Sequence, residues 1–509
     1  MSLDPQLPAT GPAGPAGPAG QAGPNAPVTP GAPATPDGPQ VGADEWVARQ
    51  RHRREYLPSW LGDGQRQLER IGWWPGLAIA GLAGAALPLI GLGGFQLQVG
   101  IDALVIALLA VGQNIVVGWA GLLDLGYVAF FGVGAYGFAL LSSNQLGAHG
   151  IHLPSWLVIP AVMIGTGLLG LLVGLPSRRL IGDYLAIITL FFGEAFVEIT
   201  NNVAPSVLGG PNGIVGIDPI NAFGIQITSN TGYYLMLVIV LVVTMAALRL
   251  LETSRTGRAW RAVRDDSLAA GSMTIPVNRV KLMAFAFGAM VAALAGTIFA
   301  AQQISVFPTD FDTPFLVLIY AGLILGGAGS IAGACVGALV LMVIYDGLLR
   351  NPTYAGYLFY GLILLTLLVK LRPWRRLAAV LAATVALGFA AHAIAAAISA
   401  RAVAGSPQST GRIASALHYW VIVPANPQTA GNWGYVALVC LLIALVQVKG
   451  RWRTILLVPT LYLASFVWET RLSVEPAITR QILIGAILIV MMNARPQGLL
   501  GTRRVEPPT

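Results

Sequence analysis

Charged side chains are scarce in this sequence. They make up 10% of it, against 55% hydrophobic residues, too few to coat a soluble chain of this length. Lysine is scarcer still: only Lys281, Lys370 and Lys449 occur, followed by Leu, Leu and Gly. A Walker A loop needs Lys followed by Ser or Thr to hold a nucleotide's phosphates, so this chain carries no such ATP site of its own. The two cysteines, Cys335 and Cys440, fall in apolar runs, where packing and not a disulfide framework is their expected role. HExxH, CxxC and GxSxG are all absent, which disfavours a membrane enzyme with clustered catalytic residues. No cleavable leader opens the chain, whose first apolar run begins near Trp73.

What is abundant is apolar sequence in lengths that cross a bilayer. About fourteen runs qualify, at roughly 73–94, 97–117, 121–143, 155–175, 182–202, 232–251, 281–304, 314–329, 331–349, 356–371, 375–399, 435–448, 454–469 and 478–494. The expected fold is therefore all-α, a polytopic membrane helix bundle. Residues 1–45, rich in Pro, Gly and Ala, read as a disordered tail; their few Gly-every-third triplets are too short for a collagen helix. Residues 46–72 read as a basic juxtamembrane segment, with Arg49, Arg51, Arg53, Arg54, Arg66 and Arg70. Lys and Arg together number 30 against 22 acids, and their positions point to topology, not to nucleic acid. With the N-terminus inside, only Arg350, Arg401, Arg412, Arg471 and Arg480 fall outside. That bias is what the positive-inside rule demands, and it places both termini in the cytoplasm.

The one long charged stretch between apolar runs, ETSRTGRAWRAVRDDSLAAGSMTIPVNRVK (252–281), is then cytoplasmic. Arg255, Arg258, Arg261, Arg264, Arg279 and Lys281 outnumber Glu252, Asp265 and Asp266. A helix is expected from Thr256, as N-cap, to Met273, with Pro276 ending it. Alanines at 259, 262, 269 and 270 admit a close second backbone, which suits docking to a soluble partner; a plain solvated connector is the alternative.

Inside the apolar runs a few polar residues stand out. Asp124 sits in the glycine-rich GWAGLLDLGYVAFFGVGAYG (118–137), where a broken helix or close packing is expected. An acid at a helix centre costs about 2.5–3.5 kcal/mol, so Asp124 needs a partner, a capping role or a pathway. Glu194 and Glu198, four apart, share a helical face, with Asn201 and Asn202 beyond. Glu194, the deeper, is expected to face the bundle interior near Asp124. LGGPNGI (208–214), with Asn212, reads as ordered tight turns. Gly329, Gly333 and Gly337 form a small-xxx-small packing face. His149 and His152, in a short outer loop, read as surface histidines more readily than as a metal pair.

Together these motifs resemble a known family, the permease subunits of branched-chain amino-acid ABC importers of the LivM type. GLLDLGYVAFFGVGAY (121–136) resembles its glycine-rich early span. GDYLAIITLFFGE (182–194), with Asn201-Asn202 and GGPNGI (209–214), is similar to its most recognisable block. GRAWRAVRDDSLAA (257–270) with KLMAFAFGAMVAALAG (281–296) resembles its coupling loop and following helix, and ARPQGLLG (494–501) its C-terminal signature. The family usually has Gly where Thr274 stands, and often an acid where Gly271 stands. Residues 351–477 look like an insertion of four further spans into a core of about ten, nine of them within 73–350 and the tenth the last helix, which with its tail occupies 478–509.

The resemblance implies half of a translocation path for branched-chain amino acids in a bacterial plasma (inner) membrane. It implies a second, LivH-like permease, two cytoplasmic ATPases carrying ATP and Mg, and an extracytoplasmic binding protein; no cofactor is expected on this chain. Arg258, Arg261, Arg264, Asp265, Ala269 and Ala270 would couple to the ATPases. Asp124, Glu194, Glu198, Asn201, Asn202 and Asn212 are candidates for the substrate path, with Phe191, Phe192, Tyr127 and Phe131 as apolar neighbours. The alternatives are a permease for urea, short amides or a sugar, and a proton-coupled secondary transporter using the three acids as relays.

Overall fold

The computed structural model describes residues 72–500 apart from 92, 147–150, 179–182, 223, 351, 372–373, 400–402, 406–418, 426, 449, 473–475 and 495–497. The chain divides into a unit of 1–56 with 506–509 and a unit of 57–505. The expected tail, nearly all of the basic segment and His149 lie outside the described residues.

Each apolar run read from the sequence overlaps a helix. In order these are α1 (Trp73–Ala86), α2 (Gly94–Gln113), α3 (Tyr127–Leu141), α4 (Ser155–Gly174), α5 (Asp183–Asn202), α6 (Asn230–Thr253), the short loop helices α7 (Arg255–Asp265) and α8 (Ser267–Ser272), and α9 (Val277–Gln303). Then follow α10 (Thr313–Gly326), α11 (Ile331–Met342), α12 (Pro352–Lys370), α13 (Trp374–Ile398), α14 (Pro427–Gln447), α15 (Arg451–Val467) and α16 (Pro476–Ala494). Ten helices among the described residues are long and apolar enough to cross a membrane, and the chain is a multi-pass membrane protein. Two-residue antiparallel pairings, Ser142–Ser143 with Ile151–His152 and Ile214–Val215 with Ser305–Val306, stiffen the connections.

Helix α9 is the spine. It packs most extensively against α3 and α4, while α11 packs on α10 and α2, and α6 on α2 and α1. Hydrophobic burial cannot drive this association in lipid, so close backbone approach must. A Cβ on Gly296 of α9 would stand 2.2 Å from the Phe131 carbonyl oxygen of α3, and one on Gly134 of α3 would stand 2.5 Å from Cα of Ala293. The two helices touch backbone to backbone. Beside them Phe131 packs with Phe299, Phe311 and Phe315 at centroid separations of 5.2–5.4 Å. The face expected from Gly329, Gly333 and Gly337 is split. Gly333 and Gly337 meet Gly326 on α10, whereas Gly329 lies in the break between α10 and α11 at φ +100°.

Within 351–477, α15 packs on α14 and α13, so these three helices form a group of their own. Phe359 of α12 stacks on Trp468 just after α15 at 4.2 Å. Helix α16 returns to the core: it packs on α10, and Arg480 pairs with Asp346 at 2.8 Å beyond α11, under the Tyr345 ring.

Gly296→Val must push α3 away from α9 and is expected to abolish most of the folded, detergent-extractable monomer. Gly165→Ala in α4 meets no atom within 4 Å and should stabilise by about 0.5–1 kcal/mol through helix propensity alone. Gel-filtration yield and thermal unfolding of the two variants check the contrast.

Candidate functional site

The loop between α6 and α9 is a built object rather than a solvated connector. Ser254, not Thr256, is the N-cap of α7, its hydroxyl accepting from the Gly257 amide at 3.3 Å. The chain turns so sharply there that a Cβ on Gly257 would fall 2.4 Å from the Leu251 and Glu252 carbonyl oxygens. The single helix expected through Met273 is interrupted at Asp266. That residue is extended, and its carboxylate accepts from the amides of Leu268 (2.8 Å) and Ala269 (3.0 Å) to start α8. A side chain able to satisfy two orphan amides outcompetes helix continuation.

One face of α7 is locked to the bundle. Trp260 is fully buried, donates from Nε1 to the Val280 carbonyl at 2.7 Å, and stacks on Trp119 at 6.0 Å. Arg264 reaches further in and donates to the Gly118 carbonyl. Gly121 makes room for it, since a Cβ there would lie 2.7 Å from Arg264 Cγ. The other arginines stay within the loop: Arg258 donates to the Thr253 carbonyl at 2.7 Å, and Arg261 to the Glu252 carbonyl at 3.2 Å. Asp265 is exposed, Ala269 exposed and Ala270 buried. Two large apolar side chains that the charge pattern hid are also strongly exposed: Leu268 at 86% and Met273 at 76%. The available signal was a large apolar pair in an otherwise polar loop.

Arg264 ends on an interrupted membrane helix. After Gln113, α2 loosens into a π turn (Asn114–Trp119), and residues 120–126 are irregular before α3 begins. Such backbone survives at membrane depth only where protein satisfies it. Asn114 Oδ1 accepts the Gly329 amide at 2.7 Å, Trp119 Nε1 donates to the Gly329 carbonyl at 3.3 Å, and the Asp124 carbonyl accepts from Gln113 Nε2 (3.0 Å) and the Tyr320 hydroxyl (2.5 Å). Asp124 itself is fully buried, and its Oδ1 accepts the Gly126 amide at 3.0 Å. That bond closes a two-residue turn just ahead of α3, and Oδ2 is buried without a hydrogen-bond partner among the described residues. The Leu125 amide donates to Thr189 Oγ1 of α5 at 2.9 Å, joining the break to that helix.

Glu194 does not face the bundle interior. The inward face of α5 carries Thr189 and Gly193, which approach Leu125 and Gly126. Glu194 and Glu198 lie exposed on the opposite side with Tyr184, Phe191 and Ile199. Glu194 accepts from the Thr313 hydroxyl at the start of α10, and Glu198 from Asn202 Nδ2 at 2.7 Å. The inward register is set by what packs: Gly193 permits backbone approach to α3, and Glu194, the next residue, is turned away. Of the proposed aromatic neighbours, Tyr127 and Phe131 are buried in the bundle, Phe192 packs on Phe130 at 5.2 Å, and Phe191 is 68% exposed. Asn201 is half-buried, Asn202 and Asn212 exposed, and the turn Gly209–Gly213 is ordered by three glycines at positive φ. His152 bonds to Asp218 and, at 3.0 Å, to Asn144. Several acids within apolar runs escaped the sequence reading. Asp102 in α2 accepts from Gln98 at 3.0 Å, and Gln98 accepts from Gln302 at 3.2 Å; Asp346 and the fully buried Glu469 are others.

Comparison with known proteins bears on this arrangement. Residues 95–368 match the family described as the permease component of the branched-chain amino acid transport system. The chain belongs to this family. The high-affinity branched-chain amino acid transport system permease protein LivM of Salmonella typhimurium and that of Escherichia coli are each 35% identical over 292 residues, covering 53% of this chain and 66% of the relative. LivH of Salmonella typhimurium is 29% identical over 285 residues, 52% of this chain and 88% of the relative. The autoinducer 2 import system permease protein LsrC of Yersinia enterocolitica is 30% identical over 240 residues, 46% and 58%. The match thus spans just under two thirds of the LivM relatives' length. No solved structure matches.

The stretch this LivM-type permease shares with its family takes in the broken helix, α5 and the loop, and runs on into α12. Within it Thr274 has φ +65°, a conformation costly for a β-branched residue and easy for the glycine the family usually places there. Thr274→Gly is expected to raise thermal stability by about 1 kcal/mol, read as an increased melting temperature of the purified subunit with the fold unchanged.

Proposed function

We propose that this chain is the LivM-like half of an ATP-driven importer for branched-chain amino acids in a bacterial inner membrane, with both termini cytoplasmic. It pairs with a LivH-like permease, and two separate ATPases and an extracytoplasmic binding protein complete the assembly. One observation carries the reading. The loop presents an exposed apolar tip, Leu268 and Met273, on a helix pair whose other face is bonded into an interrupted membrane helix. A soluble partner that grips the tip can therefore move membrane helices. Arg258, Arg261 and Asp265 form the polar rim around the tip, and Ala269 borders it. Ala270 seats α8 from below. Because the chain has no P-loop lysine, the energy comes from partner subunits holding ATP and Mg. A coupling segment works only if it binds two ATPase states differently.

The substrate path is proposed to follow the outward face of α5. An acid facing lipid would cost about 2.5–3.5 kcal/mol, so Glu194 and Glu198 favour a water-lined or subunit-covered surface. There a zwitterion's ammonium group meets carboxylates while Phe191 tolerates its apolar side chain. Asn201, Asn202 and Asn212 lie toward the mouth, and Asp124 acts from behind through Leu125 and Thr189. Helices α12–α15 are proposed to be accessory to transport. The LsrC relative is the observation that keeps another small solute open as substrate for the same machinery.

The assembled transporter in proteoliposomes is expected to import leucine with ATP inside, to stop with vanadate and to ignore a protonophore. Uptake driven by a proton gradient without ATP would establish the secondary-transporter reading instead. Leu268→Asp should leave the subunit folded and in the membrane while reducing co-purified ATPase at least tenfold, on the order of 1.4 kcal/mol or more of docking energy. Glu194→Gln keeps the side chain's shape and should lower uptake per assembled complex severalfold. An unchanged normalised rate removes Glu194 from the path.

A further inference from the structure

The motif ARPQGLLG (494–501) begins where α16 ends. Of its residues, Gly498, Leu499 and Leu500 lie against the end of α10. The Leu499 amide donates to the Leu325 carbonyl and the Leu500 amide to the Gly326 carbonyl, each at 2.9 Å. Those carbonyls belong to the last turn of an α-helix, where no intrahelical donor remains. Gly498 is required twice over. Its φ is +78°, and a Cβ there would stand 2.5 Å from both N and Cα of Gly327. The tail therefore caps α10 from a distance of some 170 residues in sequence, a contact no local cap could make.

What it caps is a break. Gly327 and Gly329, at φ +110° and +100°, separate α10 from α11 and are free to rotate where other residues are not. On its other side the same break is held by the interrupted α2. Asn114 accepts the Gly329 amide, Trp119 donates to the Gly329 carbonyl, and an Arg264 guanidinium nitrogen lies 3.0 Å from where a Gly329 Cβ would be. The coupling loop, the interrupted helix and the C-terminal tail thus converge on four residues, 327–330. Beyond them α10 carries Tyr320, whose hydroxyl donates to the Asp124 carbonyl.

We propose that Gly498–Leu500 is a strap that stiffens the Gly327–Gly329 hinge. Displacement of Arg264 by the ATPases then turns α10 and α2 together instead of being lost as rotation at the two glycines. The strap makes no contact with substrate or ATPase in this scheme; it is a positioning element. The inference rests on the coupling role proposed above for the loop. Helix α16, set after the inserted helices, keeps its place against α10 because the tail that follows it is needed there.

The test compares three variants in the complete transporter with its partner subunits: a stop after Arg495, Gly498→Val, and a stop after Gly501 as the control that keeps the strap. Backbone hydrogen exchange across 326–334 is expected to quicken about tenfold or more in the first two and not in the control. Leucine moved per ATP hydrolysed is expected to fall at least about fivefold in the same two, with the amount of assembled complex unchanged. Unchanged exchange across the hinge overturns the strap whatever transport does. So does a loss of assembly with normal leucine per ATP in the complexes that remain, which marks a structural tether only. If the intact transporter moves no leucine with ATP, the coupling reading fails, and the exchange measurement still decides whether the tail stiffens the hinge.

Discussion

The interruption of α2 between Asn114 and Gly126 is the constraint around which the rest of the bundle is arranged. A helix satisfies its own backbone, and an irregular stretch at membrane depth does not. Each unpaired amide or carbonyl costs several kcal/mol where water cannot reach it. The partners that meet this cost come from four separate places: Gln113 in α2 itself, Tyr320 in α10, Thr189 in α5, and Arg264 in the loop. The break cannot change shape without disturbing all of them. A loop anchored by Trp260 and Arg264 is therefore mechanically connected to α5 and α10 through hydrogen bonds rather than through a single rigid rod.

Glycine does the complementary work of bringing those partners within reach. At Gly121 the absent Cβ is the space that Arg264 occupies, and at Gly126 a Cβ would strike the Thr189 carbonyl oxygen at 2.1 Å. Helices that meet backbone to backbone gain dispersion contact with little side-chain entropy to lose. The same absence weakens a helix, by about 0.5–1 kcal/mol for each interior glycine relative to alanine. A glycine-rich span is thus stable in company and poor alone, which is consistent with a segment whose job is to be held by neighbours.

The membrane helices were legible because a bilayer imposes one length and one chemistry. Their apolar runs need no tertiary information to be seen. The loop was legible as charge and not as geometry. Counting arginines marked 252–281, but only the fold separates Arg264, half-buried and bonded to the break, from Arg258 and Arg261, spent within the loop. Asp265 and Asp266 are neighbours of one type in the sequence, and Asp266 alone caps and so splits the helix. Glu194 was misplaced for a related reason. The argument that a membrane acid must face inward treats one chain as the whole bundle, whereas Gly193 and Thr189 had already claimed the inward face. Asp102 was missed because nine apolar residues follow it without a break, and Gln98 and Gln302 become neighbours only when α2 meets α9.

Two helices compete for the place that ends the family core, and the chemistry of their ends distinguishes them. Helix α12 follows directly on the core, and the family match extends to residue 368 within it. Yet it is α16 that lies along α10, pairs Arg480 with Asp346, and delivers two amides to the last carbonyls of α10. A helix end buried in a bundle has orphan acceptors that must be met by some donor. Leu499 and Leu500 are those donors, and Gly498 is the residue that lets them approach. Helices α13–α15 pack chiefly on one another. The last helix and its tail are tied to α10 instead, since removing the two amides would leave its end open beside the Gly327–Gly329 break.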